Sequence, residues 1–564
     1  MDPFYIKHLM IKVIKKARIN IREILLFLSG VYFIFVNLFS YAKETHLGAD
    51  IVSRVLPAMA PYFGMGIPYR DYWERTPPGH YIAIIAWSKI FGTSMLSYKI
   101  LHLTLMLGAM ILIYVVLKKL LKGWTLYLTC FLAFFITFST RLISYIVPAE
   151  LLALVFSLGG LAPLLYIKDF KKRLFLSGFL LTFSGFIKDP FMFSLILFIP
   201  VLVDYFIHKK RDVLWAIVYL LLGFVLAISV NLVYLIILGN LNDYLAVVVQ
   251  KSQSYNVFDF RLLYDRLYIF LQKSKDVFFY FQYSLSSLFI VWLITKTAVA
   301  FKKGSLKLFF EGKKPTLRFK TDFKFTPSLG SFYALVFLFY SFGGLVGFVA
   351  QGTIDSHYFI QIVFPLITTM SLIAISIYTD LLVLFSGFKY KKETMFMVAF
   401  LMIGFFLPKK LYLVDYLSLR ISPRSLVEDV LGAERNIDNT KYDYIKSIVP
   451  RGGCIESVYG WGVGTAYFYA QRQPCSKYFL AGFVNPKNKA EYVSDITKRA
   501  PAVIVYTQGG ADVAVETFEE SILNYSLILK KCYSQDRVWS DVYIQDFSGM
   551  KQSECISRVV SAKI

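Results

Sequence analysis

The feature that most constrains this sequence is a succession of apolar runs of about 20 residues, the length at which an α-helix crosses a lipid bilayer. The chain is 57% hydrophobic and 17% charged, whereas soluble proteins carry about 25% charged residues. This composition excludes disordered, fibrous and small disulfide-rich proteins. We predict about eleven spans: Ile24–Ala42, Ser97–Leu117, Trp124–Phe138, Pro148–Ile167, Leu174–Ile187, Pro190–Ile207, Val213–Leu238, Val277–Ala300, Leu329–Ala350, Phe359–Leu384 and Thr394–Leu413.

Positive charge is concentrated in every second connection between these spans. The chain carries a net charge of +24, and almost all of it precedes Val414. Basic connections on one side of a membrane protein mark the cytoplasmic side, so the charge does not indicate a nucleic-acid partner. We predict a multi-pass protein of the cell (inner) membrane, with a cytoplasmic N-terminus and the tail outside. An even number of spans would move the tail inside.

The sequence divides into a membrane module, 1–413, and a C-terminal tail, 414–564. The first outer loop, 43–96, contains the apolar stretch Tyr81–Phe91, which is too short to span and is expected at the membrane interface. In the tail, short apolar runs alternate with helical segments, which favours a small extracytoplasmic α/β domain. The predicted strands are Ile455–Tyr459, Lys477–Leu480 and Ala502–Tyr506, and the predicted helices are Thr465–Ala470, Ala490–Arg499 and Thr517–Leu529.

Four of the five cysteines lie in the tail. An even number on the outer side of a membrane favours two disulfides, and free thiols are the alternative. Three pairings are allowed, of which we favour Cys454–Cys475 and Cys532–Cys555 because each pair is close in sequence. The closely spaced cysteine pairs of a zinc site are absent from the sequence.

Ionisable residues at the outer ends of the spans are the candidates for chemistry, because polar groups are costly in lipid and tend to be functional. Asp50 and Arg54 share one face if a helix begins at Ala49, although a surface ion pair is the alternative. The segment 68–79 combines arginines, acids and aromatic rings in a rigid context, which suits either a phosphate and a sugar or lipid headgroups. Glu150 and Lys188 stand at span ends, where solvated helix-end residues are also common.

Several short motifs resemble bacterial GT-C glycosyltransferases, the relatives of protein O-mannosyltransferases and of the lipid A aminoarabinose transferase. The likeness covers most of the chain in order. Its motifs are Asp50, Tyr69-Arg70-Asp71, Pro77-Pro78-Gly79, Phe91-Gly92-Thr93-Ser94, Glu150, Lys188-Asp189-Pro190, His357-Tyr358-Phe359-Ile360-Gln361 with Pro365, and Val458-Tyr459-Gly460-Trp461-Gly462 running on through Tyr467 and Gln471-Arg472-Gln473-Pro474 to Ser476.

The resemblance implies a mostly α-helical GT-C module and an inverting hexosyl- or pentosyltransferase. Its donor is a sugar on polyprenyl phosphate, and its acceptor is a protein, lipid or glycan outside the cytoplasm. By this resemblance, Asp50 corresponds to the catalytic acid of the family. The family usually has an Asp-Glu pair at this position, whereas in this sequence Ile51 follows Asp50. Glu44 and Asp71 are the rival positions for this acid.

The chemistry of such a transfer agrees with these residue types. A carboxylate takes the proton of the acceptor hydroxyl, and cations stabilise the departing phosphate. No cofactor is required, although the acids and His357 near one rim leave a divalent metal open. The cations proposed for the donor are Arg54, Arg70, Arg75 and Lys188, and the other substrate contacts are Tyr69, Asp71, Glu74, Glu150, His357 and Tyr358.

Two other functions remain as alternatives. A transporter or flippase of lipid-linked glycans would place ionisable groups deep within helices, whereas the charges here fall at the ends of spans. A glycan ligase or polymerase would have its large outer loop late in the chain, whereas here the acid-rich loop is the first. Both features favour the transferase.

Overall fold

The computed structural model describes most of the membrane module and most of the tail. The described residues are 21–42, 49–73, 76–139, 143, 147–255, 265–269, 290–299, 306–311, 314–319, 329–351, 359–384, 439–458, 463–478, 488–506, 523, 525–546 and 550–561. Several predictions fall outside these residues, namely those on Glu44, Glu74, Arg75, His357, Tyr358, Trp461 and the span Thr394–Leu413.

The described part of the membrane module is mostly helical. Its helices are α1 (Ile21–Ala42), α2 (Ala49–Phe63), α3 (Pro78–Phe91), α4 (Met95–Leu120), α5 (Gly123–Thr137), α6 (Ala149–Tyr166), α7 (Phe170–Ile187), α8 (Phe198–His208), α9 (Val213–Ile237), α10 (Leu241–Tyr255), α11 (Ile290–Val299), α12 (Leu329–Gln351) and α13 (Ile360–Leu384). The 3-10 segment Asp189–Leu197 joins α7 to α8, and a hairpin of β1 (Leu306–Glu311) and β2 (Lys314–Phe319) precedes α12.

Six segments of the described residues are long and apolar enough to cross a membrane: Leu96–Leu120, Ala149–Tyr166, Asp189–His208, Lys210–Ile237, Phe332–Ala350 and Ile360–Asp380. Each coincides with a predicted span, whereas the total of eleven stays a prediction. The apolar window of α13 is 89% buried and that of α9 only 22%. Helix α13 therefore lies inside the bundle, and α9 turns an apolar face outward, as lipid contact requires.

The basic connections meet at one end of the bundle, which we call the basic end. Lys118 Nζ lies 3.6 Å from Glu23 Oε1, so the end of α4 meets the start of α1. The Arg22 guanidinium stacks over the Trp124 ring at the start of α5, 4.4 Å from its centroid. The Tyr166 hydroxyl at the end of α6 donates to a backbone carbonyl of α4. Charge at this end has the pattern predicted for a cytoplasmic face.

The tail forms a five-stranded mixed sheet flanked by helices. Its strands are β3 (Cys454–Val458), β4 (Gln473–Pro474), β5 (Val503–Tyr506), β6 (Tyr533–Gln535) and β7 (Val542–Gln545), in the order β4-β3-β5-β7-β6. The pairs β3–β4 and β3–β5 are parallel, and β5–β7 and β6–β7 are antiparallel. Its helices are α14 (Asn439–Ile448), α15 (Val463–Ala470), α16 (Lys489–Arg499), α17 (Tyr525–Cys532) and α18 (Met550–Ser561). The α/β class is as predicted.

Both predicted disulfides are present, Cys454–Cys475 and Cys532–Cys555. The strand predicted at Lys477–Leu480 is wrong for Lys477, which lies in a bend after β4, and for Tyr478, which follows that bend. The strand next to β3 is instead β4, which comes just before Cys475. The disulfide explains this position, because it ties Cys475 to Cys454 at the start of β3 and so brings β4 beside that strand.

The tail packs on the first outer loop, at the end of the bundle opposite the basic end. The Trp73 amide donates to the Lys477 carbonyl at 2.7 Å, and the Trp73 and Tyr478 rings lie 5.7 Å apart. Phe468 of α15 packs against Phe63 at the end of α2, at 6.0 Å. The loop and the tail thus form one surface, which we call the loop–tail end.

Candidate functional site

Four polar residues that are far apart in sequence converge at the loop–tail end. Arg54 comes from α2, His80 from the first turn of α3, Glu150 from the first turn of α6, and Lys188 from the end of α7. The charges of Arg54, Glu150 and Lys188 all act on the His80 ring. We call these four residues the buried polar cluster.

Glu150 and Lys188 form the ion pair of this cluster. Lys188 Nζ lies 2.7 Å from Glu150 Oε1, with side-chain exposures of 15% and 2%. This burial excludes the alternative that Glu150 is an ordinary helix-end residue in water. Each charge needs the other, because a buried ion without a counter-charge is strongly destabilising.

His80 is buried without a hydrogen-bonding partner for either ring nitrogen among the described residues. Burial lowers the pKa of its imidazole to about 3, with a further contribution from the positive charge of Arg54. The ring is therefore neutral at physiological pH. A neutral imidazole offers one donor and one acceptor, so His80 brings hydrogen-bonding capacity to the cluster that the described residues leave unused.

Gly79 allows α3 to approach the end of α7. A Cβ atom at this position would lie 2.7 Å from the Phe186 carbonyl oxygen and 3.2 Å from Asn231 Oδ1. Only glycine permits this backbone contact without displacement. The motif Pro77-Pro78-Gly79 therefore has two roles. Pro78 is favourable at the first position of a helix, and Gly79 lets the start of α3 approach α7, which brings His80 near Lys188.

A second histidine, His102, holds the turn that leads into Glu150. Its Nδ1 accepts a 3.0 Å hydrogen bond from the Val147 amide, and its Nε2 lies 3.1 Å from Asn37 Oδ1. Val147 has φ +51°, a conformation that is strained for a β-branched residue. The hydrogen bond helps to hold this turn and so fixes where α6 begins.

The described part of the segment before α3 is a folded turn in which two predicted substrate contacts, Tyr69 and Asp71, have structural partners. The Asp71 carboxylate accepts from the Ile67 amide at 2.8 Å, and the buried Tyr69 hydroxyl donates to the Thr76 carbonyl at 2.8 Å. Arg70 is exposed, and among the described residues its only ion pair is with Asp71, at 3.4 Å. Of these three side chains, Arg70 is the one most open to a ligand.

Asp50 lies on the first turn of α2, one turn before Arg54. The helix predicted to begin at Ala49 is present, so the backbone of Asp50 enters α2 one turn from the buried polar cluster. Among the described residues, no group of three or more His, Cys, Asp or Glu side chains is arranged to hold a metal ion.

Sequence reasoning singled out Arg54, Glu150 and Lys188, whose roles in binding stay predictions, and it did not single out either histidine. His102 had a detectable signal, since a histidine in the middle of an apolar span is costly and rarely without a role. His80 had a weaker one, its position directly after Pro77-Pro78-Gly79. The sequence does not show that α3 contacts α7, and it is this contact that brings His80 near Lys188.

No family model and no curated protein match the chain. Among solved structures it is similar to the oligosaccharyltransferase of Archaeoglobus fulgidus in the apo form, with TM-score 0.47, 12% identity, and 86% of this chain and 69% of that chain covered. It is also similar to ArnT from Cupriavidus metallidurans in the apo state, with TM-score 0.47, 11% identity, and 93% of this chain and 97% of that chain covered. For ArnT bound to undecaprenyl phosphate the TM-score is 0.44 and the identity 12%, with 86% of this chain and 92% of that chain covered. Both proteins are glycosyltransferases of the GT-C class, the class that the sequence resembles.

Proposed function

We propose that this protein is an integral membrane glycosyltransferase that moves a sugar from a polyprenyl-phosphate donor to a hydroxyl acceptor outside the cytoplasm. The observation that supports it best is the buried polar cluster, in which Arg54, His80, Glu150 and Lys188 converge beneath the loop–tail end. Polar groups buried at a membrane-facing end are costly and are retained where they bind or react. The motifs shared with GT-C enzymes supply the reaction class.

The reaction breaks the bond between the anomeric carbon and the phosphate oxygen. The acceptor oxygen attacks the opposite face of that carbon, which inverts its configuration. The acceptor proton passes to a carboxylate, which we assign to Asp50. The polyprenyl phosphate leaves with both electrons of the broken bond, and its added negative charge is stabilised by cations.

Arg54 and Lys188 are the cations assigned to that phosphate. Arg54 is buried one turn from Asp50, and its planar guanidinium suits two phosphate oxygens at once. Lys188 is held by Glu150 at 2.7 Å, so Glu150 orients this ammonium group. His80, buried beside them, is assigned a hydrogen bond to the donor phosphate or sugar.

The acceptor is assigned to the surface between the first loop and the tail. Trp73, Lys477 and Tyr478 form the contact between these two parts. An aromatic surface next to a membrane suits a sugar ring or the side chains of a polypeptide. The acceptor class, whether protein, lipid or glycan, is left to the experiment below.

The test compares cells with and without the protein and reads lipid-linked sugars and envelope glycans by mass spectrometry. We expect one polyprenyl-phosphate sugar to accumulate in its absence and one glycan to lose that sugar. Asp50→Asn should reproduce the loss, with turnover reduced about a hundredfold or more, as removal of a general base typically causes. Glu44→Gln is the matched control and should be mild.

Two results would contradict this proposal in different ways. Normal turnover in Asp50→Asn, with loss in Asp71→Asn, would move the base to Asp71. Passage of the intact donor across the membrane, with no bond broken, would favour the flippase.

A further inference from the structure

A cavity of about 490 Å³ lies at the basic end of the bundle, at the opposite end of α6, α7 and α8 from the buried polar cluster. Helix α7 has Arg173 in its first turn and Lys188 after its last residue. At 1.5 Å per residue, these two residues lie about 22 Å apart along the helix axis. The two sites are therefore separated by most of the thickness of a membrane core.

The polar wall of this cavity contains two cations stacked on one ring. The Arg173 guanidinium lies 5.9 Å and the Lys209 ammonium 5.4 Å from the centroid of Tyr205, and the Tyr205 hydroxyl accepts a hydrogen bond from Arg173. Asp204 and His208 also line the cavity, where the Asp204 carboxylate lies 3.0 Å from His208 Nδ1. Among the described residues neither Arg173 nor Lys209 forms an ion pair. Arg173 Nε is buried, with no acceptor among those residues.

The other wall of the cavity is apolar. It is formed by Leu164, Val201, Phe332 and Val336, which come from three different helices. The adjacent outward face of α8 exposes Val203 and Phe206, as expected of a face in contact with lipid. A ligand with an anionic head and an apolar body would meet suitable groups on both walls.

We propose that this cavity binds the phosphate group of an anionic membrane lipid. Basic pockets between membrane helices on the cytoplasmic side commonly hold such headgroups. Two cations that have no ion pair within the described part of the chain, one of them with a guanidinium donor that is unused there, can supply charge-assisted hydrogen bonds. Inorganic phosphate shares the head chemistry but would leave the apolar wall without a partner. The inference does not depend on the proposed transferase activity.

The test uses the purified full-length chain in a zwitterionic detergent. Native mass spectrometry counts bound lipid when dioleoyl phosphatidylglycerol and dioleoyl phosphatidylcholine are added in equal amounts, with inorganic phosphate as a third arm. We expect phosphatidylglycerol to be retained preferentially. Arg173→Gln and Lys209→Gln should each weaken its retention about tenfold, the loss typical of a hydrogen bond to a charged group.

Lys172→Gln is the matched control, because Lys172 is an exposed cation beside Arg173 that does not line the cavity. It should leave lipid retention unchanged. Lys209 is exposed, so its replacement tests the site even if Arg173→Gln fails to fold. Equal retention of the two lipids, equal loss in Lys172→Gln, or displacement of the lipid by millimolar phosphate would each overturn the proposal.

Discussion

Lys188 Nζ lies 2.7 Å from Glu150 Oε1, with side-chain exposures of 15% and 2%. The pair joins the end of α7 to the start of α6, so it positions two helices as well as two charges. Any ligand that reaches Lys188 does so beside this carboxylate. The pair therefore links the stability of the bundle to the geometry of the proposed site.

Removing one member of this pair should be strongly destabilising. Glu150→Gln removes the carboxylate that lies 2.7 Å from Lys188 Nζ, and we expect about 3 kcal/mol lower stability, as for other buried pairs. The double variant Glu150→Gln/Lys188→Met should recover at least about 1 kcal/mol relative to the sum of the single changes. Denaturant unfolding in detergent measures both. The control is Glu23→Gln at the more exposed Lys118–Glu23 contact, which should cost less than about 1 kcal/mol.

Gly79→Ala should displace α3 from α7. The new Cβ would lie 2.7 Å from the Phe186 carbonyl oxygen, and overpacking against backbone typically costs about 1–3 kcal/mol. Because His80 follows directly, sugar transfer should fall together with the unfolding temperature. Gly108→Ala is the control, since its Cβ would meet its nearest atom at 4.0 Å. Unchanged stability and turnover in Gly79→Ala would show that the contact between the helices is not required.

His80 should make the protein less stable in mild acid. Its folded pKa of about 3 lies below the unfolded value of 6.5, so between these values only the unfolded chain binds the proton. The stability gained from the neutral ring is fully present above pH 6.5 and is lost as the pH falls. Between pH 7 and pH 5 the loss is about 2 kcal/mol.

The comparison of wild type with His80→Gln isolates this contribution. Because glutamine does not titrate, the variant should lose about 2 kcal/mol less than the wild type between pH 7 and pH 5. Unfolding curves at the two pH values measure the difference. If both proteins lost the same free energy of unfolding between pH 7 and pH 5, His80 would not be buried in the neutral form.

The two disulfides predict how many thiols can be alkylated. In the denatured, unreduced chain only Cys130 should react, since the other four cysteines are paired. After reduction all five should react. Cys532→Ser/Cys555→Ser should destabilise the tail by about 3 kcal/mol, since the bridge closes a loop with a sequence separation of 23. Five reactive thiols without reductant would contradict both bridges.

Much of this architecture could be read from the sequence because its causes are local. An apolar run of about 20 residues must be helical in lipid, whatever surrounds it, and the predicted bounds of α6 and α12 agree with the structure to within a residue or two. The disulfide pairing also followed from proximity along the chain. Arg54, Glu150 and Lys188 could be singled out as candidates because charges next to apolar spans are conspicuous, although their roles stay predictions.

Tertiary structure alone decided which of these residues meet. Glu150 and Lys188 are neighbours because α6 and α7 are antiparallel, and His80 joins them because Gly79 lets α3 contact Phe186. Conversely, Asp71 and Tyr69, predicted as substrate contacts, bind the backbone of their own turn. Helix formation depends on local hydrophobicity and backbone hydrogen bonds, whereas the partner of a buried charge depends on helix packing between residues far apart in sequence.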